Sequence, residues 1–235
     1  MTDEFNFLRN EDLENNPSAR IAVCLCLDTS GSMDCDGKIQ ALNAGVSDFF
    51  DFIRSDETTM YAAEVAIVSF GEQGVKCIRD FSSLIVDSNP PVLTANGGTP
   101  MGEAVNMALD RLEARKRDYK NKGVDYYQPM LVIMSDGQSN GSLEELSTAK
   151  SRTHSLIQSK KLTVLSIGVG PDADMECLSD FSKPKRKALR LKGIMFREFF
   201  VWLGMSVSII SHSAPGETVS IPPVDDWAEG WGTLD

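Results

Sequence analysis

Cysteine, histidine and long apolar runs are all scarce in this sequence. Its 235 residues include five cysteines and two histidines, and the cysteines lack the repeated short spacing of a zinc site. The most apolar stretch, residues 194–210, is interrupted by Arg197 and Glu198, which makes it too short and too charged for a membrane span. Residues 1–16 lack the apolar region of a signal peptide. An odd number of thiols favours a reducing compartment, so we expect a cytoplasmic protein.

Positive charge is also in short supply. Lysine and arginine number 23 against 34 aspartates and glutamates, a formal net charge of −11. A protein this acidic has no general attraction for nucleic acid or for an anionic membrane. Its 42% hydrophobic and 24% charged residues are typical of a globular protein with a well-buried core. The composition excludes collagenous and wholly disordered chains.

Strand and helix patterns alternate along the chain. Residues 21–27 form a continuous apolar run, typical of a strand buried on both faces, and residues 38–54 repeat apolar side chains at helical spacing. Further strands are predicted at 65–70, 75–81, 130–134, 162–169 and 188–191, and further helices at 99–115, 143–158, 174–181 and 196–210. This alternation requires crossover connections. We therefore predict an α/β fold: a doubly wound, mostly parallel sheet with helices on both faces and one antiparallel edge strand.

No gap in this pattern is long enough for an internal domain boundary. We divide the chain into an N-terminal extension, residues 1–19, one domain, residues 20–213, and an acidic tail, residues 214–235. The tail contains glycines, prolines and five acidic residues but no lysine or arginine, and it carries Trp227 and Trp231. Tryptophan is costly to leave in water. The tail is expected to dock on this domain or on a partner, and the alternative is a disordered terminus.

Polar side chains follow the first predicted strand. The segment Asp28-Thr29-Ser30-Gly31-Ser32 presents one carboxylate and two hydroxyl groups two residues apart. In an open parallel sheet, ligands bind beyond the carboxyl ends of the strands. Oxygen ligands of this kind suit a hard cation, and Mg²⁺ in particular.

Two further clusters are expected at the same edge of the sheet. In Gly97-Gly98-Thr99-Pro100, Thr99 is a plausible helix N-cap and Pro100 suits the first helical position. Ser135-Asp136-Gly137 ends another buried strand. Each cluster alone is more typical of a turn or a helix start, but three in this order could converge on one ion. The predicted metal ligands are Asp28, Ser30, Ser32, Thr99 and Asp136, with Mg²⁺ as the expected ion and Mn²⁺ as the alternative.

This set of residues resembles the metal-ion-dependent adhesion site of the von Willebrand factor A domain family. The match covers roughly residues 20–213, and all five signature positions are present without substitution. The resemblance implies a Rossmann-like fold in which the three hydroxyl groups contact the ion, while the carboxylates of Asp28 and Asp136 act directly or through water. Residues 191–203 are similar to the last helix of the TerY-like group, a compact bacterial type linked to tellurium and stress resistance.

Two functions of different classes remain open. In the first, the chain is a binding module: one coordination position of the ion stays open, and a partner protein completes it with an Asp or Glu. In the second, it is a Mg²⁺-dependent phosphohydrolase on a similar sheet. A haloacid-dehalogenase-like phosphatase needs a second carboxylate at the position of Ser30, and the sequence has no phosphate-binding G-x-x-x-x-G-K-[ST] motif and no nucleophile elbow. We therefore predict a binding module, not an enzyme.

The expected biological setting comes from the resemblance alone. The TerY-like group implies a cytoplasmic protein of a bacterial stress, tellurium-resistance or phage-defence system. Its partner would be a protein such as a phosphatase or a kinase that acts in the same response.

Overall fold

The apolar run that follows Arg20 forms the central strand of the sheet. In the computed structural model, which describes residues 3–71, 74–182 and 187–229, β1 spans Ile21–Thr29 and all nine of its residues are buried. It pairs in parallel with β2 (Ala63–Gly71) on one side and with β4 (Met130–Ser135) on the other. Because both edges are paired and both faces are covered, β1 is apolar until its carboxyl end.

The remaining strands extend the sheet in both directions. Within the described residues the strand order is β3-β2-β1-β4-β5-β6-β7. β5 (Thr163–Gly168) and β6 (Leu189–Leu191) continue the parallel part, whereas β3 (Gly74–Ser83) and β7 (Ala228–Glu229) pair antiparallel with β2 and β6. The predicted doubly wound, mostly parallel sheet is confirmed. It has an antiparallel strand at each edge, one more than predicted.

Helices cover the two faces of the sheet. They are α1 (Asp3–Asn15), α2 (Lys38–Ser55), α3 (Glu57–Ala62), α4 (Met101–Lys122), α5 (Leu143–Gln158), α6 (Met175–Ser182) and α7 (Phe196–Ser211). Side chains of α2 and α7 form one core with Val23 and Leu25 of β1. Side chains of α1, α4, α5 and α6 form the other core with Cys24 and Cys26. Alternate residues of a strand point to opposite faces, so β1 contributes to both cores.

The N-terminal extension contains a helix that the sequence pattern does not predict. Within α1, Leu13 is a buried apolar residue and joins the core under α4. The Arg20 guanidinium group, fully buried, donates a hydrogen bond to the Asp12 carbonyl group (2.9 Å). Since α1 lacks a regular apolar face, tertiary contacts rather than periodicity stabilise it.

The start of α4 differs from the prediction. Thr99 is not the N-cap, because Pro100 occupies that position and Met101 is the first helical residue. The Thr99 carbonyl group accepts a hydrogen bond from the Met101 N–H (2.8 Å). Thr99 therefore belongs to the loop that precedes the helix.

The helix α4 also continues two turns past its predicted end. Its buried Arg115 donates two hydrogen bonds to the Glu64 carboxylate (2.5 and 2.8 Å), and the Tyr119 hydroxyl group donates a third (2.7 Å). These polar residues are buried among apolar neighbours. A buried ion pair of this kind is invisible to hydrophobic periodicity, which explains the error.

The helices α2 and α7 pack closely at two glycines. A Cβ atom at Gly45 would lie 2.6 Å from the Phe200 ring, and one at Gly204 would lie 2.7 Å from the Phe52 ring. The apolar side chains of α7 therefore make their contacts inside the protein. Among the residues that the structure describes, no helix has the length and apolar character needed to cross a bilayer.

The described part of the tail packs on the domain itself. Trp227 is 2% exposed, and its ring centroid lies 5.1 Å from those of Phe199 and Trp202 on α7. The Trp202 indole N–H donates a hydrogen bond to the Pro222 carbonyl group (2.8 Å). Of the three outcomes left open by the sequence, docking on this domain holds as far as residue 229. Trp231 lies outside the described residues.

Candidate metal centre

Asp28 is the first polar residue of β1 and lies at the carboxyl end of the strand. Its Oδ1 accepts a hydrogen bond from the Ser30 N–H (2.8 Å), and its Oδ2 accepts one from the Ser135 hydroxyl group (2.5 Å). The side chain is fully buried. Burial raises the pKa of the Asp28 carboxyl group to about 6, although the hydrogen bonds from Ser135 and Ser30 act in the opposite direction. The nearby Asp136 carboxylate adds to the increase in pKa.

A chain of hydrogen bonds through Ser30 and Ser32 connects Asp28 to Asp136, and the Ser30 N–H is its first link. The Ser30 and Ser32 hydroxyl oxygens are 3.0 Å apart, and the Ser32 hydroxyl group donates a hydrogen bond to Asp136 Oδ1 (2.6 Å). Asp136 directly follows β4, which is the parallel neighbour of β1. The structure therefore brings four of the five predicted site residues together through direct hydrogen bonds.

Thr99, the fifth predicted residue, lies on a separate loop that contacts the first. The Gly31 N–H donates a hydrogen bond to the Gly97 carbonyl group (3.0 Å). The Thr99 N–H donates one to Asn140 Oδ1 (2.7 Å), and the Asn140 N–H donates one to the Thr99 carbonyl group (3.1 Å). A Cβ atom at Gly98 would lie 3.0 Å from Asn140 Oδ1. Gly98 therefore permits the close approach that holds Thr99 in place.

Three residues at the site are not among the predicted metal ligands. They are Ser135, which hydrogen-bonds Asp28; Asn140, which holds Thr99; and Lys38. The Lys38 ammonium group lies 2.6 Å from Asp136 Oδ2 and 3.4 Å from the Ser32 carbonyl oxygen. The register of β1 and β4 could have identified Ser135. Nothing in the spacing of Lys38 or Asn140 indicates their contacts.

The donor atoms fit a hard divalent cation. The hydrogen-bonded cluster offers two carboxylates and the hydroxyl groups of Ser30 and Ser32, and the adjoining loop carries Thr99. Oxygen ligands are those that Mg²⁺ and Mn²⁺ prefer. In residues 3–71, 74–182 and 187–229, Asp28 forms no salt bridge, so its buried carboxylate has no cation of its own. The same part of the chain holds no group of three His, Cys, Asp or Glu side chains suited to a metal. A divalent ion held by these residues would therefore depend on hydroxyl groups as well as on the two carboxylates.

Both histidines make their contacts away from this cluster. The His154 ring hydrogen-bonds the Asp180 carbonyl group. The His212 ring lies at the end of α7, 3.7 Å from the Asp56 carboxylate. Histidine is the most common general base in enzymes. Neither imidazole ring lies where it could act as a general base at the candidate metal centre.

The sequence model of the von Willebrand factor type A domain matches residues 22–195. The chain therefore belongs to the von Willebrand factor type A domain family. Domains of this family are commonly metal-dependent protein-interaction modules. No curated protein matches the chain.

Solved structures support the same fold. The chain is similar to proximal thread matrix protein 1 from the mussel byssus, with 20% identity over 82% of this chain and 49% of that one, and a TM-score of 0.57. It is also similar to the vWF domain of the type V pili tip protein Mfa5 from Porphyromonas gingivalis, with 10% identity over 86% of this chain and 99% of that one, and a TM-score of 0.62. The chain thus spans about half the length of the mussel protein. At these identities the similarity shows the fold alone.

One of the similar structures contains a metal. It is the mussel protein with a zinc-occupied MIDAS motif, which has 19% identity to this chain over 81% of this chain and 48% of that one, with a TM-score of 0.55. The adhesion site of that protein therefore accepts a divalent ion.

Proposed function

We propose that this chain is a metal-dependent protein-interaction module. In this proposal Mg²⁺, or Mn²⁺ as the alternative ion, is held by Asp28, Ser30, Ser32, Thr99 and Asp136. A carboxylate of a partner protein completes the coordination of the ion. The bound ion supplies the positive charge that attracts and orients this carboxylate.

The observation that carries the proposal is the chain of hydrogen bonds between the two buried carboxylates. The Ser30 N–H donates to Asp28 Oδ1 (2.8 Å), the Ser30 and Ser32 hydroxyl oxygens are 3.0 Å apart, and the Ser32 hydroxyl group donates to Asp136 Oδ1 (2.6 Å). Hydroxyl groups are neutral ligands, so two carboxylates are the whole negative charge that the site offers the ion. Mg²⁺ prefers octahedral oxygen coordination, and the five proposed residues leave one position open, which a partner's Asp or Glu would fill.

The biological setting is proposed on the resemblance of residues 191–203 to the TerY-like group. We infer a cytoplasmic protein in a bacterial stress, tellurium-resistance or phage-defence system, with a phosphatase or a kinase as its partner. The acidic composition, with a net charge of −11, agrees with a protein partner rather than nucleic acid or an anionic membrane.

The test compares partner capture with the site intact and with the site removed. The tagged protein is used to capture partners from its native cell with Mg²⁺ or with EDTA, and the captured protein is then purified and its binding measured directly. We expect binding in Mg²⁺, release by EDTA, and loss in the Ser30→Ala plus Thr99→Ala double variant. The control is Ser155→Ala plus Thr163→Ala, which removes the same groups from α5 and from the first residue of β5.

Two results would contradict the proposal. Binding that persists in EDTA and in the Ser30→Ala plus Thr99→Ala variant would place the interaction elsewhere on the surface. Mg²⁺-dependent hydrolysis of a phosphate ester or of ATP that is lost on Asp28→Ala would favour the phosphohydrolase instead.

A further inference from the structure

Lys38 places a positive charge at the candidate metal centre. Its ammonium group lies 2.6 Å from Asp136 Oδ2, while the Ser32 hydroxyl group occupies Oδ1 of the same carboxylate. The side chain of Asp136 is completely buried and that of Lys38 is 16% exposed. Both oxygens of Asp136 therefore have partners, and its ion pair with Lys38 is largely shielded from water.

The turn before α2 places Lys38 in this position. Asp36 and Gly37 have positive φ angles of 56° and 71°, and Lys38 is the first residue of the helix. The ammonium group also lies 3.4 Å from the Ser32 carbonyl oxygen. The same loop thus carries both Ser32, a proposed ligand of the ion, and the lysine that neutralises Asp136.

Charge counting shows that Lys38 and a divalent cation compete. The cluster contains two negative charges, on Asp28 and Asp136, and Lys38 is the cation paired with Asp136 in the described part of the chain. A divalent cation added with Lys38 in place would leave the cluster with an excess positive charge, and two cations on one buried carboxylate repel each other strongly. The lysine side chain is flexible and its ammonium group is readily hydrated, so Lys38 can leave the site toward solvent.

We propose that Lys38 is a tethered competitor of the metal ion, which neutralises Asp136 when no ion is bound and must be displaced before the ion binds. This inference rests on the proposed metal site and specifies how its affinity is set. Lys38 weakens the binding of the divalent cation and, in exchange, stabilises the metal-free protein by pairing with a buried carboxylate. The ion is then loaded only when its concentration is high enough to displace the ammonium group.

The experiment measures Mn²⁺ binding by calorimetric titration of the full chain and of three variants. Lys38→Gln removes the charge and keeps much of the side chain. Lys38→Arg keeps the charge. Lys161→Gln makes the same change of charge at an exposed position just before β5, at the opposite edge of the sheet from the metal centre.

We expect Lys38→Gln to bind Mn²⁺ about tenfold more tightly than the unmodified protein, because the ion no longer has to displace an ammonium group from its ion pair with Asp136. Lys38→Arg should bind no more tightly than the unmodified protein, and Lys161→Gln should differ from it by less than about twofold, since surface charges are screened. In EDTA, Lys38→Gln should melt at a lower temperature than Lys161→Gln. Saturating Mn²⁺ should abolish that difference.

Three outcomes separate this inference from the proposed function. Weaker Mn²⁺ binding in Lys38→Gln would overturn the inference and make Lys38 a residue that positions Asp136 for the ion. Equal affinity in Lys38→Gln and Lys161→Gln would also overturn it. If neither the unmodified protein nor Lys38→Gln binds Mn²⁺, the metal site itself is wrong, and the proposed function fails together with the inference.

Discussion

The Ser135 hydroxyl group donates a hydrogen bond to the buried Asp28 carboxylate, although the two residues are 107 positions apart in the sequence. They meet because β1 and β4 are parallel neighbours that end at the same edge of the sheet. The bond orients one oxygen of Asp28, and the Ser30 N–H orients the other. The carboxylate is therefore held in place before any ion binds.

Asp28→Asn is expected to stabilise the metal-free protein at pH 7 by about 2–3 kcal/mol. Burial raises the pKa of Asp28 from 3.8 to about 6, so the native state holds this proton more tightly than the unfolded chain does. Below about pH 3 the carboxyl group is protonated in both states and costs nothing. As the pH rises from 4 to 6 the cost of ionising the buried group develops, and above pH 6 it is complete. Asparagine avoids the cost of the charge, and its single oxygen can still accept one of the two hydrogen bonds that the carboxylate accepts.

Denaturant unfolding in EDTA at pH 4 and pH 7 measures this effect. The exposed Asp172→Asn is the control for the loss of one negative charge. The advantage of Asp28→Asn should shrink to less than about 1 kcal/mol at pH 4, and the stabilisation by Mg²⁺ should be lost in this variant. An Asp28→Asn protein that is no more stable than the unmodified protein at pH 7 would contradict the prediction.

Gly98→Ala is expected to weaken Mn²⁺ binding about tenfold, the equivalent of one or two lost hydrogen bonds. The added Cβ atom would lie 3.0 Å from Asn140 Oδ1, and this amide accepts the hydrogen bond that holds Thr99. Gly137→Ala is a matched control beside Asp136, because its Cβ atom would meet nothing within 4 Å. The measurement is a Mn²⁺ titration of both variants. Equal affinities would mean that the position of Thr99 does not matter for the ion.

Trp227→Ala is expected to lower the free energy of unfolding by about 3–5 kcal/mol, as for other buried aromatic residues. The ring packs against Phe199 and Trp202 and covers the end of the core. Thr218→Ala, at an exposed position of the same tail, should change the stability by less than about 0.5 kcal/mol. The measurement is urea unfolding. Equal stabilities of the two variants would show that the tail is dispensable for the fold.

The five cysteines are free thiols in the structure, and their reactivities are expected to differ widely. Cys35 is exposed, whereas Cys24 and Cys26 are fully buried and burial raises the pKa of both thiols. Because the thiolate is the reactive form, a thiol reagent should modify Cys35 first and the buried pair only on unfolding. Mass spectrometry after brief alkylation measures the order, and Cys35→Ser should remove the fast phase. A disulfide in most molecules would contradict the expected reducing compartment.

Most of the sheet and the helices around it could be predicted from the sequence. The run at 21–27 and the helical spacing at 38–54 differ by only one or two residues from β1 and α2. Such elements bury a continuous apolar face, so their pattern reports their environment directly. The elements that were missed, α1, α3 and β7, are short or poor in apolar residues and form through contacts with distant parts of the chain.

The ligand types of the candidate site were also predictable. Asp28 lies at the end of β1 with Ser30 and Ser32 just after it, and parallel strands bring Asp136 to the same edge. The position of Thr99 required the structure, because it depends on Asn140.

The sequence by itself determined the α/β class and the family signature. The spacing of apolar residues along a helix or strand, and the spacing of residues within a motif, are local properties of the sequence. Only the tertiary structure decided that Ser135 holds Asp28, that Lys38 neutralises Asp136 and that Trp227 closes the core. Each of these contacts joins separate loops, strands or helices. Hydrogen bonds and charge pairs act over only a few ångströms. Segments that are distant in the sequence come within that range only when the chain has folded.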